Sequence, residues 1–433
     1  MVGKHPTTFP CLLFATSTGT ILDYDGLTMA GAAAGQFFKP QLEDLIELPA
    51  GSELFHLPHR LPIGIDPKSG EPALLDTNPY APGEPIQAVA AFMAPAHTAI
   101  YTAAYQTCNL EAPLLPLFAY TAVGWADGKM WVAGFRSDTD RRQDADQFNH
   151  RLLKQRTLKQ LRSHPKNRLI QHLGKCCLTY GCPAARNYFL GRWEAPLPTS
   201  PVCNAVCAGC ISQQPSGCCP STQDRITFVP TEQEIAEVAV PHLTYAPRAI
   251  ASFGQGCEGE PLLQVDILEK SIRLIRSRTN RGTLNLNTNG SLPDAVERLA
   301  KVGLDSIRIS LNSAQPDKHR SYYRPKGFSL SDVCRSIAIM KRLGRHVSLN
   351  YFVLPGCTDD PSEFAALSNL ISEYHPDFIQ LRNLNMDPEY YLRVIDHRPD
   401  KPPLGIRQWL QRLQTSFPSL RFGYFNPPLP LEP

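Results

Sequence analysis

The segment Cys203-Asn-Ala-Val-Cys207-Ala-Gly-Cys210 sets three cysteines at C-x3-C-x2-C spacing. Three thiolates on one short loop can ligate three irons of a four-iron four-sulfur cubane and leave the fourth iron open to a substrate. An open coordination position is what a catalytic cluster requires. Zinc is the other metal such a triad could hold, and the spacing alone leaves both standing. Eight of the 13 cysteines lie between Cys176 and Cys219. Such density and an odd total fit metal binding in a reducing compartment better than a disulfide framework. Cys11, Cys108, Cys334 and Cys357 read as buried or incidental thiols.

A cysteine loop does chemistry only if a rigid scaffold presents it, and the sequence from Pro196 onward has the texture of one. Runs of β-branched residues alternate with amphipathic helical stretches, the pattern of parallel βαβ units. Strands are predicted at 201–204, 249–253, 283–288, 306–311, 347–353 and 378–384. The first helix is predicted to start after the N-cap Thr231, with Glu232 and Glu234 in its first turn. Further helices are predicted over 263–277, 293–302, 331–343 and 360–374. Six such units without a Gly-rich dinucleotide fingerprint predict a curved or barrel-like parallel sheet, with its chemistry at the carboxyl ends of the strands.

Upstream, residues 1–140 read as short strands punctuated by Pro and Gly, at 12–15, 53–57, 86–93, 114–123 and 130–135, and predict a β-rich accessory domain. A helical linker with its own cysteines is expected over 141–195, helical from Asp140 to His164. The barrel core is expected over 196–395, and a closing segment with a strand at 421–425 over 396–433.

Other chemistry-bearing residues fall at the ends of the predicted strands in order. Gly259-Glu260-Pro261 follows the second strand, and Asn287-Thr288-Asn289-Gly290 ends the third. Arg308 and Ser310 stand at i, i+2 on the fourth, so both point to one face. With the cysteine triad, this order resembles the radical S-adenosylmethionine superfamily over about residues 196–390. The resemblance implies an α/β fold with a partial (β/α)6 barrel, a 4Fe-4S cluster on Cys203, Cys207 and Cys210, and S-adenosyl-L-methionine as cosubstrate.

The resemblance also implies roles for single residues. Gly259 and Glu260 would bind the methionyl amino group, where a carboxylate suits an ammonium stripped of water. The family usually has adjacent glycines before that glutamate; Cys257 and Glu258 intervene here, which makes Glu258 a rival for the role. Asn289 would reach the ribose hydroxyls. Arg308 would grip the methionyl carboxylate in a bidentate fork, with Ser310 beside it. Asn350 on the fifth strand, and Gln380 and Arg382 on the sixth, resemble further cofactor or substrate contacts. Tyr322, Tyr323 and Arg324 would either line the substrate pocket or pack on the barrel rim.

The activity implied is reductive cleavage of S-adenosylmethionine by an electron from a flavodoxin-like or ferredoxin-like donor, giving a 5'-deoxyadenosyl radical that abstracts hydrogen from a substrate. Superfamily members often carry auxiliary clusters. A second iron-sulfur cluster is therefore expected from a subset of Cys176, Cys177, Cys182, Cys218, Cys219 and Cys257, with a structural zinc or free thiols as the alternatives. His172 could complete a mixed metal site or be structural. Cys257, at the end of the second strand, could instead be a hydrogen donor or a covalent handle for a radical intermediate. A non-catalytic iron-sulfur or zinc-binding redox sensor is the alternative for the whole chain, but it has no use for Glu260, Asn289, Arg308 and Ser310 at successive strand ends.

Composition narrows the partners. The 433 residues are 42% hydrophobic and 19% charged, with a net charge of +3, ordinary values for a folded chain. Basic residues concentrate in one run, Arg151, Lys154, Arg156, Lys159, Arg162, Lys166 and Arg168, which lacks interleaved aromatics and reads as a solvated helix face. Nucleic acid is not the expected partner. There is no apolar run near 20 residues and no signal-peptide pattern, so no membrane is expected and the location is expected to be cytoplasmic. The 40 prolines, against roughly 5% in average usage, predict many extended connections. The substrate is expected to be a peptide or protein, or a cofactor precursor or other small molecule.

Overall fold

The computed structural model describes residues 5–108, 112–214, 219–399 and 401–430. Two compact units divide the chain: one takes in 1–139, 352–366 and 381–418, the other 140–351, 367–380 and 419–433. Residues 141–195, expected as a linker, fall in the second unit, while 352–366 and 381–395, expected in the barrel core, fall in the first.

The second unit is built on seven strands in sequential order: β1 (Glu194–Leu197), β2 (Ile250–Phe253), β3 (Thr283–Thr288), β4 (Ser306–Leu311), β5 (His346–Val353), β6 (Phe378–Asn383) and β7 (Arg421–Gly423). Pairing is parallel from β1 through β5 and again between β6 and β7. Helices Glu232–Tyr245, Val265–Arg278, Pro293–Lys301, Leu330–Arg342 and Pro361–Tyr374 return the chain between strands, as the long crossovers of parallel pairs require. Thr231 caps the first of these in a reciprocal box with Glu234, a local device worth about 1 kcal/mol. This is the α/β fold expected.

The first strand lies upstream of its predicted place. Pro201 has no N–H to give a ladder, and the N–H groups of Thr199 and Ser200 donate to the Glu258 carboxylate instead. Regular pairing therefore ends at Leu197, and the cysteine loop starts from a side-chain anchor. The 141–195 segment holds three helices, His150–Ser163, Arg168–Leu178 and Pro183–Leu190. The first begins only after the Asn149 cap, later than Asp140, and its basic residues are largely solvated.

The first unit is β-rich and antiparallel. Its central strand, Cys11–Thr16, pairs with Ile21–Met29, Ile86–Phe92 and Val123–Ala126. Alternate residues bury Leu13, Ala15, Val89, Ala91, Val123 and Val132 together. A buried ion pair joins Arg60 to Asp387 at 2.9 Å within this unit. The predicted strand at 114–123 is mostly irregular: Pro116 interrupts it, and Thr121 makes isolated bridges to Ala91 and Thr102. No described helix is long and apolar enough to cross a membrane.

Candidate active site

The loop from Thr199 to Thr231 leaves the carboxyl end of β1 and carries the triad. Cys203, Cys207 and Cys210 are part-buried free thiols. Burial raises the Cys203 and Cys207 pKa values above the ordinary thiol value, and the neighbouring sulfurs and Glu260 add to the effect. Thiols gathered on one part-buried loop form a site for a cation that would take their protons' place. Arg225 lies alongside, 3.5 Å from the Cys210 sulfur and 3.1 Å from the Ser212 hydroxyl.

Three neighbouring segments hold the loop in place. The backbone N–H groups of Val206 and Ala208 donate to the carbonyls of Tyr323 and Tyr322, at 2.9 and 3.0 Å. The two tyrosines thus brace the cysteine loop through their backbone, a role their side chains could not announce. Asn204, inside the triad, accepts from Asn289 Nδ2 at 2.8 Å and donates to the Ser291 hydroxyl at 2.9 Å. Asn289 therefore ties the end of β3 to the cysteine loop. The N–H groups of Gly259 and Glu260 donate to the carbonyls of Ser200 and Val202.

Gly259 is required for that approach: a Cβ there would stand 1.9 Å from the Val202 carbonyl oxygen. Gly254, at the end of β2 with φ +76°, is equally constrained, since its Cβ would overlap the Asn287 carbonyl.

The two rival glutamates have different surroundings. Glu258 accepts from the N–H groups of Thr199, Ser200 and Gln255 at 2.7 to 2.9 Å and from the Thr199 hydroxyl at 3.1 Å. It is a buried clip between the loops after β1 and β2. Glu260 accepts from Leu262 N–H at 3.0 Å and Asn289 N–H at 2.9 Å, and from the Thr288 hydroxyl. Burial lifts both carboxyls to about 7, against the bonds that favour their charge. The charge of Glu260 raises the Cys203 and Cys207 thiol pKa values.

On β4 and β5 the pattern of exposure marks an open inner face. Arg308, Ser310 and Asn350 are part-exposed while their neighbours in sequence are buried, and Ser310 pairs in register with Asn350. Arg308 donates to Gln380 Oε1 at 3.2 Å, and Gln380 donates to Asn426, which in turn donates to Glu194 and Asn287. Asn285 and Ser306 extend this polar row. The interior between these strands is hydrogen-bonded and polar, unlike the side-chain-filled apolar core of a closed barrel.

Cys257 turns elsewhere, into a group with His172 and Cys176 whose donor atoms all lie within 4.8 Å of one another. Cys177 faces the Thr157 hydroxyl at 3.5 Å. Cys219 is buried, and Cys218 lies outside the described residues.

Whether a cluster and its cosubstrate suit these residues can be asked of buried polar atoms without a partner. The Tyr323 hydroxyl, beside Cys207, and Asn350 Oδ1, on the strand face shared with Arg308 and Ser310, are both buried and unbonded. A buried polar atom left unpaired costs about 1–3 kcal/mol, so both are apt to meet a ligand. The residues fit the group.

Residues 197–367 match the family model described as Radical SAM superfamily. The FeMo cofactor biosynthesis protein NifB of Klebsiella pneumoniae is 27% identical over 177 residues, 38% of this chain and 37% of that protein. The GTP 3',8-cyclase of Alkaliphilus oremlandii is 30% identical over 200 residues, 46% of this chain and 54% of that enzyme. The chain thus spans about half or less of the length of these relatives. Among solved structures, the FeFe-hydrogenase maturase HydG from Carboxydothermus hydrogenoformans aligns over 62% of this chain and 69% of its own at 17% identity, with a TM-score of 0.37. Residues 197–367, less than half of the chain, carry a radical SAM domain.

Proposed function

We propose that the chain is an enzyme that cleaves S-adenosylmethionine reductively at a 4Fe-4S cluster held by Cys203, Cys207 and Cys210. The observation that carries this reading is the physical union of the triad loop with Glu260 and Asn289 through Asn204, Gly259 and their backbone bonds. A sensor needs the thiols but not that carboxylate, nor the polar row ending at Arg308. The cluster, once bound, supplies the electron that breaks the sulfonium bond and releases a 5'-deoxyadenosyl radical. Glu260 would hold the methionyl ammonium, a charge-assisted contact suited to a dry site. Arg308 would take the methionyl carboxylate with the Ser310 hydroxyl donating beside it, and the unbonded Asn350 Oδ1 would accept from a donor group of the cosubstrate. The buried surroundings of Cys207 and Tyr323 would keep water from the radical.

The electron would come from a flavodoxin-like or ferredoxin-like donor. The second substrate is a peptide or a cofactor precursor. The names of the two relatives, one a cofactor biosynthesis protein and the other a GTP cyclase, favour the small molecule. The test is anaerobic incubation of the reconstituted protein with dithionite and S-adenosylmethionine, with 5'-deoxyadenosine measured by chromatography. Product is expected; a chain with a full cluster that forms none refutes the proposal. Mass spectrometry of cell extracts incubated with and without the enzyme would then identify the consumed substrate.

A further inference from the structure

His172, Cys176 and Cys257 come from two places far apart in the sequence and meet inside the second unit. His172 and Cys176 are one turn apart on the helix Arg168–Leu178, where i and i+4 share a face. His172 Nε2 lies 3.5 Å from the Cys176 sulfur. Cys257 arrives from the loop after β2, and its sulfur lies within 4.8 Å of both the Cys176 sulfur and a His172 ring nitrogen. Cys176 and Cys257 are buried and carry free thiols. Cys182 stands next to the group: it opens the next helix, and its N–H donates to the Cys176 carbonyl at 3.0 Å.

We propose that His172, Cys176 and Cys257 form a zinc site, two thiolates and one imidazole around a single ion. Zinc–sulfur bonds of about 2.3 Å place tetrahedral donors roughly 3.8 Å apart. The observed group, with its three donors inside 4.8 Å, is drawn together on that scale. A four-iron cubane spreads its thiolates wider, because each sulfur is bonded to a different iron. Among the described residues no other group of three His, Cys, Asp or Glu is drawn so close, and the Cys203, Cys207 and Cys210 sulfurs are not. The same comparison argues against the second iron-sulfur cluster expected from the surplus cysteines. A shift of the neighbouring Cys182 thiol would complete the four protein ligands of a structural site. The ion would clamp the loop after β2, the segment that also holds Gly259 and Glu260, to the helices upstream of β1.

Metal content of anaerobically purified protein, by inductively coupled plasma mass spectrometry, tests the proposal. One zinc per chain is expected, retained when Cys203, Cys207 and Cys210 are all replaced by Ala and lost in the double variant Cys176→Ser/Cys257→Ser. Cobalt(II) added to zinc-stripped protein should give the intense visible bands of a tetrahedral thiolate site, a readout that does not depend on any variant folding. Iron and sulfide beyond one cluster, lost in the Cys176/Cys257 variant, would replace the zinc with a second cluster and overturn the proposal. Weak octahedral cobalt bands, or a chain that binds no zinc, would overturn it equally. Because the triad variant removes only the catalytic cluster, failure of the proposed activity and failure of this site are read separately.

Discussion

Two groups of cysteines in one unit were reached by opposite routes. The triad Cys203, Cys207 and Cys210 occupies a single loop, and its spacing points to a metal, iron-sulfur or zinc, before any fold is known. The group of His172, Cys176 and Cys257 draws on a helix before β1 and a loop after β2, and nothing in the spacing joins them. The first group leaves room for an open metal position; the second is drawn tight around one centre. Between them runs the stretch from Gly254 to Pro261, which gives Cys257 to one group and Glu260 to the other. The difference teaches that one backbone segment can serve two sulfur-rich groups, one assembled within a single loop and one only by the fold.

The sharpest way to break the comparison is to remove one group and look at the other. Cys203→Ala should reduce 5'-deoxyadenosine formation below detection and empty the iron content, while the metal at Cys176 stays. If both metals vanish together, the two groups are one site. Next in size, Glu258→Ala should damage both groups. It strips three backbone N–H groups of their acceptor, each worth about 1–3 kcal/mol when buried, and thermal melting should show a loss of several degrees or an unfolded product.

A smaller effect is expected from Gly259→Ala, whose Cβ meets the Val202 carbonyl. Forced backbone shifts of this kind cost about 1–3 kcal/mol, and the iron-to-protein ratio after reconstitution should fall. Arg308→Lys touches only the cosubstrate side. Replacing a fork by a point charge should weaken S-adenosylmethionine binding by about tenfold, measured by calorimetry, with iron and zinc content unchanged.

The smallest effect is a pH dependence. Burial raises Glu260 to about 7, and an ammonium binds the carboxylate rather than the acid. Cosubstrate affinity should therefore rise as pH passes upward through about 7 and level off above it, a change that Glu260→Gln would abolish. For the protein without cosubstrate the sign reverses. A carboxyl whose folded pKa lies above its unfolded value near 4.5 favours folding at low pH, and that stability fades as pH climbs to about 7. Melting temperatures at pH 5 and pH 8 would show whether the two buried glutamates behave so.

Much of the parallel sheet was legible. β3 and β4 match their predicted limits, and β2, β5 and β6 differ by one residue at an end. These strands are short apolar runs bounded by turn residues, and local pattern suffices to place them. β1 was misplaced because Glu258, more than 50 residues away, takes the N–H groups that a continuing strand would have used. The choice between Glu258 and Glu260 was open for a similar reason: they are the same residue type, two positions apart, and only their partners distinguish them.

The sequence by itself determined the triad, the alternation of strands and helices, and the order of Glu260, Asn289, Arg308 and Ser310 along the strand ends. Each of these depends on chemistry within a few neighbouring residues. Tertiary structure alone decided that Glu258 is a clip, that Tyr322 and Tyr323 brace the triad with their carbonyls, and that Cys257 faces His172 and Cys176. Those outcomes depend on which distant backbone groups need a partner once water is excluded, and a chain reveals that only after it has folded.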